Sequence, residues 1–472
     1  MFKSGLYLTF FSLVSAALGL LRSIIVAHFI SVEDFGIAGT FAMAMAIIDM
    51  SANIGINRLI VQSKDGHDAD FQASLQGFQV FRGFVGAGVI LVLSHPLANL
   101  FHTPTIAWAY QVMAIVPIIK GFSHLDMNRF QRESRFMPGI TSEVIAQALS
   151  TLLGALFGYW LHDYRAMIFA ILGQNLVYFV ASQLFAVRPY RLAWNTQYIK
   201  GAFNFGWPLL INGFLMFGVF HGERMVIGNQ LGLTVLGWFS AANMLTLMTA
   251  GIIGKVVDTM GLPLLSRHQD DAHEFHKKAR TVMEATCLIG VSIAIGFTLL
   301  GAPVLHLLFG AKHANGTAVL VLLSVMYAIR TARTGPAIVS ISRKDTLSPM
   351  LANVMRSLFI PLAFLAVHAG FGIVAVIYAG IVGELAAYLV SLWKLVERLG
   401  FMPHELARAF FSSMAVIAIL LLYEYLWPAQ AFALASWYSL VIITATATYI
   451  YQLRSICTIA TTYLNKYGPK FA

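Results

Sequence analysis

Residues 6–29 read LYLTFFSLVSAALGLLRSIIVAHF, an apolar run broken by one arginine, Arg22. The run exceeds the ~18–20 residues that a bilayer's hydrocarbon core demands of a helix. A secretory signal has a shorter apolar region of about 7–15 residues and no internal arginine, so a retained first transmembrane helix is expected here. The pattern repeats along the chain. Of 472 residues, 58% are hydrophobic and 11% charged, and the mean hydropathy is +0.74. Soluble domains carry about 25% charged residues. The expected fold class is an all-α polytopic membrane protein.

Fourteen spans are expected: 6–29, 37–61, 75–95, 106–122, 140–161, 166–187, 203–231, 235–265, 282–300, 318–340, 351–369, 373–392, 410–427 and 432–452. Helices are the expected spanning elements, since each run exceeds a barrel strand and must satisfy its own backbone in lipid. The stretch 301–317 is the hardest to place, because Ala302-Pro303 interrupts apolar sequence running to Phe309. With these boundaries twenty Lys and Arg fall on one side of the membrane, and only Arg165 and Lys312 on the other. Positive loops stay cytoplasmic, so both termini are expected in the cytoplasm, with a bacterial inner membrane as the location. The net charge of +10 follows from this topology, and no nucleic-acid partner is expected. Trp108, Trp160, Trp207, Trp238, Trp393 and Trp427 fall near span ends, where indole prefers the interface.

The two cysteines, Cys287 and Cys457, exclude a disulfide framework or a Cys-rich metal site. His95, His102 and His221 lack metal-ligand spacing, and no catalytic constellation assembles. No metal or cofactor is expected. The loops are too short for a soluble catalytic domain, which argues against a membrane-embedded glycosyltransferase or polymerase.

A weak internal repeat is legible. Arg22-Ser-Ile-Ile and Gly36 recur as Arg224-Met-Val-Ile and Gly237, at offsets of 202 and 201 residues. Halves that start on the same side are parallel repeats. The expected organisation is an N-lobe of six spans (1–200), a C-lobe of six (201–393), and an extra helix pair with a tail (394–472).

Nine basic residues lie within the expected spans: Arg22, Arg58, Arg82, Lys120, Arg224, Lys255, Arg330, Arg333 and Arg356. Asp49, Glu143, Glu223, Asp258 and Glu384 are the acidic ones. Each charge at a helix centre costs roughly 2.5–3.5 kcal/mol even on the lenient insertion scale. Helical spacing groups them: Ser12, Ser15, Gly19 and Arg22; Asp49, Asn53 and Asn57, with Arg58 beside them; Lys255 with Asp258 and Thr259; Tyr327, Arg330 and Arg333; Asn353 and Arg356. These stripes are expected to line an aqueous cationic cavity. Snorkelling to headgroups is the plain alternative for Arg58, Arg82, Lys120, Arg330 and Arg333, and self-neutralisation for Lys255 with Asp258. Asp49 is expected to neutralise Arg22 or Lys120, or to couple a cation. Arg22 and Arg224, matched in depth by the repeat, point most directly to an anionic substrate. Arginine's planar fork suits a diphosphate.

The stretch Leu20-Leu21-Arg22-Ser23-Ile24-Ile25-Val26-Ala27-His28-Phe29, followed by Glu33-Asp34-Phe35-Gly36, resembles the polysaccharide transporter family. These are Wzx-type oligosaccharide flippases of the multidrug/oligosaccharidyl-lipid/polysaccharide superfamily. Gly55-Ile56-Asn57-Arg58 and Met127-Asn128-Arg129-Phe130-Gln131-Arg132 resemble the same family. The resemblance implies two six-helix lobes that rock around a central cavity. It implies an undecaprenyl-diphosphate-linked oligosaccharide as substrate, carried toward the periplasmic leaflet for capsule, exopolysaccharide or O-antigen assembly. Arg22, Arg58 and Arg224 would contact the diphosphate or glycan, and the last two spans would be an addition forming a lipid-facing groove. The expected cationic lining is thus Arg22, Arg58, Arg224, Lys255, Arg330 and Arg356, with Asp49, Asp258 and Glu384 for coupling or charge pairing. Membrane lipids, a polysaccharide polymerase and glycosyltransferases are the expected partners. A cation-coupled multidrug exporter and a lipid II flippase are the alternatives within the superfamily. A drug-cation pump should bury more acids than bases, and here bases lead nine to five.

Overall fold

A computed structural model describes residues 2–52, 56–133 and 135–426, and there the expected spans fall largely on helices; the last, 432–452, lies outside the described residues. The helices are α1 (Phe2–Phe29), α2 (Val32–Ala52), α3 (Ile56–Gln62), α4 (Ala69–Leu100), α5 (Ala107–Met113), α6 (Ile115–Phe122), α7 (Asp126–Arg132), α8 (Met137–Leu161) and α9 (Arg165–Leu184). They continue as α10 (Thr196–Gln230), α11 (Leu233–Ser266), α12 (Ala272–Phe309), α13 (Gly316–Ser342), α14 (Leu347–Ser357), α15 (Phe359–His368), α16 (Ile373–Leu399) and α17 (Pro403–Leu426). Among the described residues nine helical segments are long and apolar enough to cross a bilayer, two of them interrupted: Pro104–Phe122 and Leu347–His368. The ambiguous stretch after residue 300 is a continuation of α12, which runs through Pro303 to Phe309. Its 38 residues extend ~57 Å at about 1.5 Å each, well beyond a ~30 Å hydrocarbon core.

Large apolar side chains such as Val92, Leu152, Leu184 and Leu307 are exposed. Lipid is as apolar as they are, so association between helices rests on close packing and polar contacts. Gly154 and Gly158 let α8 approach α1 closely: a Cβ on Gly154 would stand 3.0 Å from Val26 and one on Gly158 3.1 Å from Phe29. The carboxamides of Gln76 and Gln79 on α4 donate to the carbonyls of Gly121 and Ser123 at the end of α6.

The chain divides into two compact units. One comprises Met1–Ser240 with Leu308–Lys312, and the other Ala241–Leu307 with the residues from His313 on. Within the first unit α2 crosses the first turns of α11. A Cβ on Gly36 would lie 2.0 Å from Leu233 O, and one on Gly237 2.1 Å from Val32 O. Leu233 follows Val32 by 201 residues, as Gly237 follows Gly36. The contact is therefore reciprocal: each glycine admits the backbone of the helix that carries the other.

The Met127–Arg132 motif forms most of α7, outside the spans. Asp126, fully buried, accepts Arg129 Nε at 2.5 Å and the amides of Val187 and Arg188 at 2.8 and 3.1 Å. Burial alone would raise this carboxyl. The Arg129 guanidinium and the two amides outweigh burial and hold it at about 2. Arg132 donates to the carbonyls of Ile60, Val61 and Ser63 at the end of α3, where a cation complements the helix dipole. In this structure the motif clamps loops together.

Candidate functional site

The second unit holds a buried charge cluster built from three helices. On α13, Arg330 and Arg333 are three residues apart and share a face. Both reach Glu384 on α16: Arg330 Nε donates to Oε1 at 2.7 Å and Arg333 Nε to Oε2 at 3.2 Å. Arg356, near the end of α14, donates to Glu384 Oε1 at 3.0 Å. Glu384 is fully buried and Arg356 is 1% exposed. Arg333 Nη1 also donates to Asn353 Oδ1 at 2.9 Å, and Arg330 lies over the Tyr327 ring at 4.7 Å. Tyr327 in turn donates to Asn243 Oδ1 at 2.9 Å. Three guanidiniums and one carboxylate sum to two positive charges. Snorkelling does not describe Arg330 or Arg333, which turn inward to Glu384 with side chains only 12% and 11% exposed. Of the two roles expected for Glu384, the geometry is that of charge pairing.

Arg22 is in the first unit, in a different setting. Its Nη1 donates to Ser150 Oγ on α8 at 2.8 Å and to Gln174 Oε1 on α9 at 2.7 Å. Both partners are held in turn. Ser150 donates to Ala170 O at 2.8 Å, and Gln174 Nε2 to Gln147 Oε1 at 2.7 Å. Arg22 Nε is buried with no hydrogen-bond partner, and among the described residues Arg22 makes no ion pair. Asp49 instead pairs with Lys120 at 2.5 Å. Of the two cations expected for Asp49, the structure sets Lys120 beside it, with both side chains partly exposed.

The remaining candidates are placed singly. Arg224 is half-buried on α10, six residues from its end, much as Arg22 lies seven from the end of α1. Lys255 is exposed on α11. Arg58 on α3 and Asp258 on α11 have side chains outside the described ones. The structure thus brings Arg330, Arg356 and Glu384 together and adds Arg333. It also supplies Ser150, Gln174 and Gln147, which the reading by charge overlooked. Their signal was the polar spacing Glu143, Gln147, Ser150 along one face of α8.

A family model described as "Polysaccharide biosynthesis protein" matches residues 25–318. The chain belongs to this family. The match bears out the family resemblance, although it begins at Ile25, after Arg22. The succinoglycan biosynthesis transport protein ExoT of Rhizobium meliloti (strain 1021) is 22% identical over 316 residues, covering 65% of this chain and 62% of that protein. The chain therefore spans less than two thirds of the length of ExoT. The lipopolysaccharide biosynthesis protein WzxC of Escherichia coli (strain K12) is 21% identical over 361 residues, 74% of this chain and 72% of that one. Among solved structures, the lipid II flippase MurJ in an inward closed conformation superposes with a TM-score of 0.71 at 13% identity, covering 97% of this chain and 99% of that one. At that identity the likeness establishes the fold. The family member described here is an all-helical, multi-pass membrane protein.

Proposed function

We propose that this family member is a flippase of the bacterial inner membrane, with both termini in the cytoplasm. It carries undecaprenyl-diphosphate-linked oligosaccharide units to the periplasmic leaflet for surface polysaccharide assembly. Arg22 is the observation that carries the reading. A guanidinium inside a span, held on neutral Ser150 and Gln174, keeps its full positive charge for an anionic ligand, whereas an ion-paired arginine does not. Arg224, at the matching place in the second repeat, is its proposed counterpart. The Arg330, Arg333, Arg356 and Glu384 cluster adds two more positive charges. Residues 1–200 and 201–393 act as the two rocking lobes. An inside-negative potential favours outward movement of each negative charge by about 2.3 kcal/mol per 100 mV, so a diphosphate lipid is driven in the exporting direction. The names of ExoT and WzxC support a polysaccharide precursor over a drug.

The test is substitution of Arg22 and Arg224 by alanine in the native host, with protein level followed by immunoblot. The expected result is loss of surface polysaccharide with the protein still inserted, and partial recovery with Arg22→Lys. Normal polymer output from both alanine variants overturns the reading.

A further inference from the structure

Each half of the apparent repeat ends its third span in Leu-Phe followed by a residue at positive φ, and that end rests on the first helices of the other half. In the first copy α4 closes in Leu100-Phe101, followed by His102 at φ 56°. The amides of His102 and Thr103 donate to Asn99 O and Ala98 O at 3.1 and 2.8 Å, the paired bonds of a left-handed helix stop. In the second copy α12 closes in Leu308-Phe309, followed by Gly310 at φ 80°. Phe309 lies 208 residues after Phe101.

The docking contacts correspond as well. The Phe101 ring sits where a side chain on Gly228 of α10 would stand, 2.8 Å from its ideal Cβ. Asn229 Nδ2 donates to Leu100 O at 2.6 Å, and His102 Nε2 meets Asn229 O at 3.1 Å. Reciprocally, Phe309 packs edge-on against Phe35, ring centroids 5.9 Å apart. Lys312 Nζ donates to His28 O at 3.0 Å and Ile30 O at 2.5 Å, just where α1 ends. Ser240, buried and set against Gly39 201 residues earlier, lies beside the Gly36–Gly237 crossing. These contacts are aromatic, carbonyl-bound or hydrogen-bonded. None is an ion pair or a covalent link, and interactions of that size open and close within a transport cycle.

We propose that the two docked helix ends form a two-fold latch. The state described here is latched, and release of Phe101 from α10 together with release of Phe309 and Lys312 from the α1–α2 turn is the step that opens this end. The proposal rests on the transporter reading for its purpose, and its test needs no substrate.

Ser240→Cys places a thiol beside the crossing. Purified protein in nanodiscs is treated with a maleimide, and labelling at position 240 is followed by peptide mass spectrometry, so that Cys287 and Cys457 do not interfere. Phe101→Ala with Phe309→Ala should raise the labelling rate about tenfold over the Ser240→Cys parent, the size of a modest population shift. Lys312→Met, which removes only the two carbonyl contacts and keeps the aliphatic stem, should raise it by a smaller, measurable factor. The Lys312 variant carries the test if the double phenylalanine variant does not purify. Rates within twofold of the parent in the variants that fold overturn the latch. Faster labelling in a protein that moves no diphosphate lipid leaves the latch standing and removes the substrate reading instead.

Discussion

Glu384 accepts from three guanidiniums while fully buried, so it and its partners are not equivalent. Removing one arginine leaves a carboxylate still held by two. Removing the carboxylate leaves three buried cations facing one another. Breaking a buried pair from the side that leaves uncompensated charge costs about 3–5 kcal/mol. Glu384→Ala should therefore lower the melting temperature of the purified protein far more than Arg333→Ala does; equal losses would contradict the shared-carboxylate geometry. The partners of these charges were the least legible part of the sequence. Asp49 fits Arg22 or Lys120 equally well on spacing alone, and only the packing of α2 against its neighbours chooses Lys120. Arg330 and Arg333 read equally well as snorkelling residues, because spacing fixes which face a side chain is on and not what lies opposite.

Elements were easier to read, since a run of apolar residues near twenty long has few other uses. The repeat was legible only at Arg22 and Arg224 and at Gly36 and Gly237. At both glycines the backbone of the facing helix leaves no room for a side chain. Gly36→Ala and Gly237→Ala should each cost about 2–3 kcal/mol or more through overpacking, with similar effects because their contacts are reciprocal. A fluorescence-detected melting curve in detergent would measure both; indifference to either would deny the close crossing. The Met127–Arg132 motif was read as a family signature, and its structural work was not legible because Asp126 precedes it and its amide donors lie some sixty residues away. Its pH behaviour follows from the sign of the shift. Asp126 in the folded protein sits at about 2, below its ordinary 3.8, so its stabilisation is complete above about pH 4 and is lost as pH falls toward 2. Asp126→Asn should destabilise the protein at neutral pH by about 2 kcal/mol, as expected for losing hydrogen bonds to a charged group. It should also flatten the acid limb of the stability profile, so an unchanged limb would point to other groups.

At the scale of the whole molecule, the charge asymmetry behind the proposed orientation has two exceptions, and both are held by local contacts. Arg165 is paired with Asp163 at 2.6 Å. Lys312 is occupied by the carbonyls at the end of α1. Both keep their charge, and against twenty Lys and Arg on the other side they leave the proposed orientation standing. Cysteines introduced at Asp163 and at Asn315 should react with an impermeant maleimide added to intact spheroplasts, and one at Lys344 only after lysis. The opposite pattern would invert the proposed topology.

The charge cluster of the second unit also has a timetable. Arg330, Arg333 and Arg356 are synthesised before Glu384, the last of them by 28 residues. At ~5–20 residues per second the three cations wait a few seconds for their carboxylate, each carrying an insertion cost of about 2.5–3.5 kcal/mol until it arrives. These helices are expected to become stable together, when α16 enters. Chains truncated after residue 370 should consequently be cleared by membrane proteases, whereas chains truncated after residue 402 should accumulate. Pulse-chase labelling of the two would show whether biogenesis has this late commitment point.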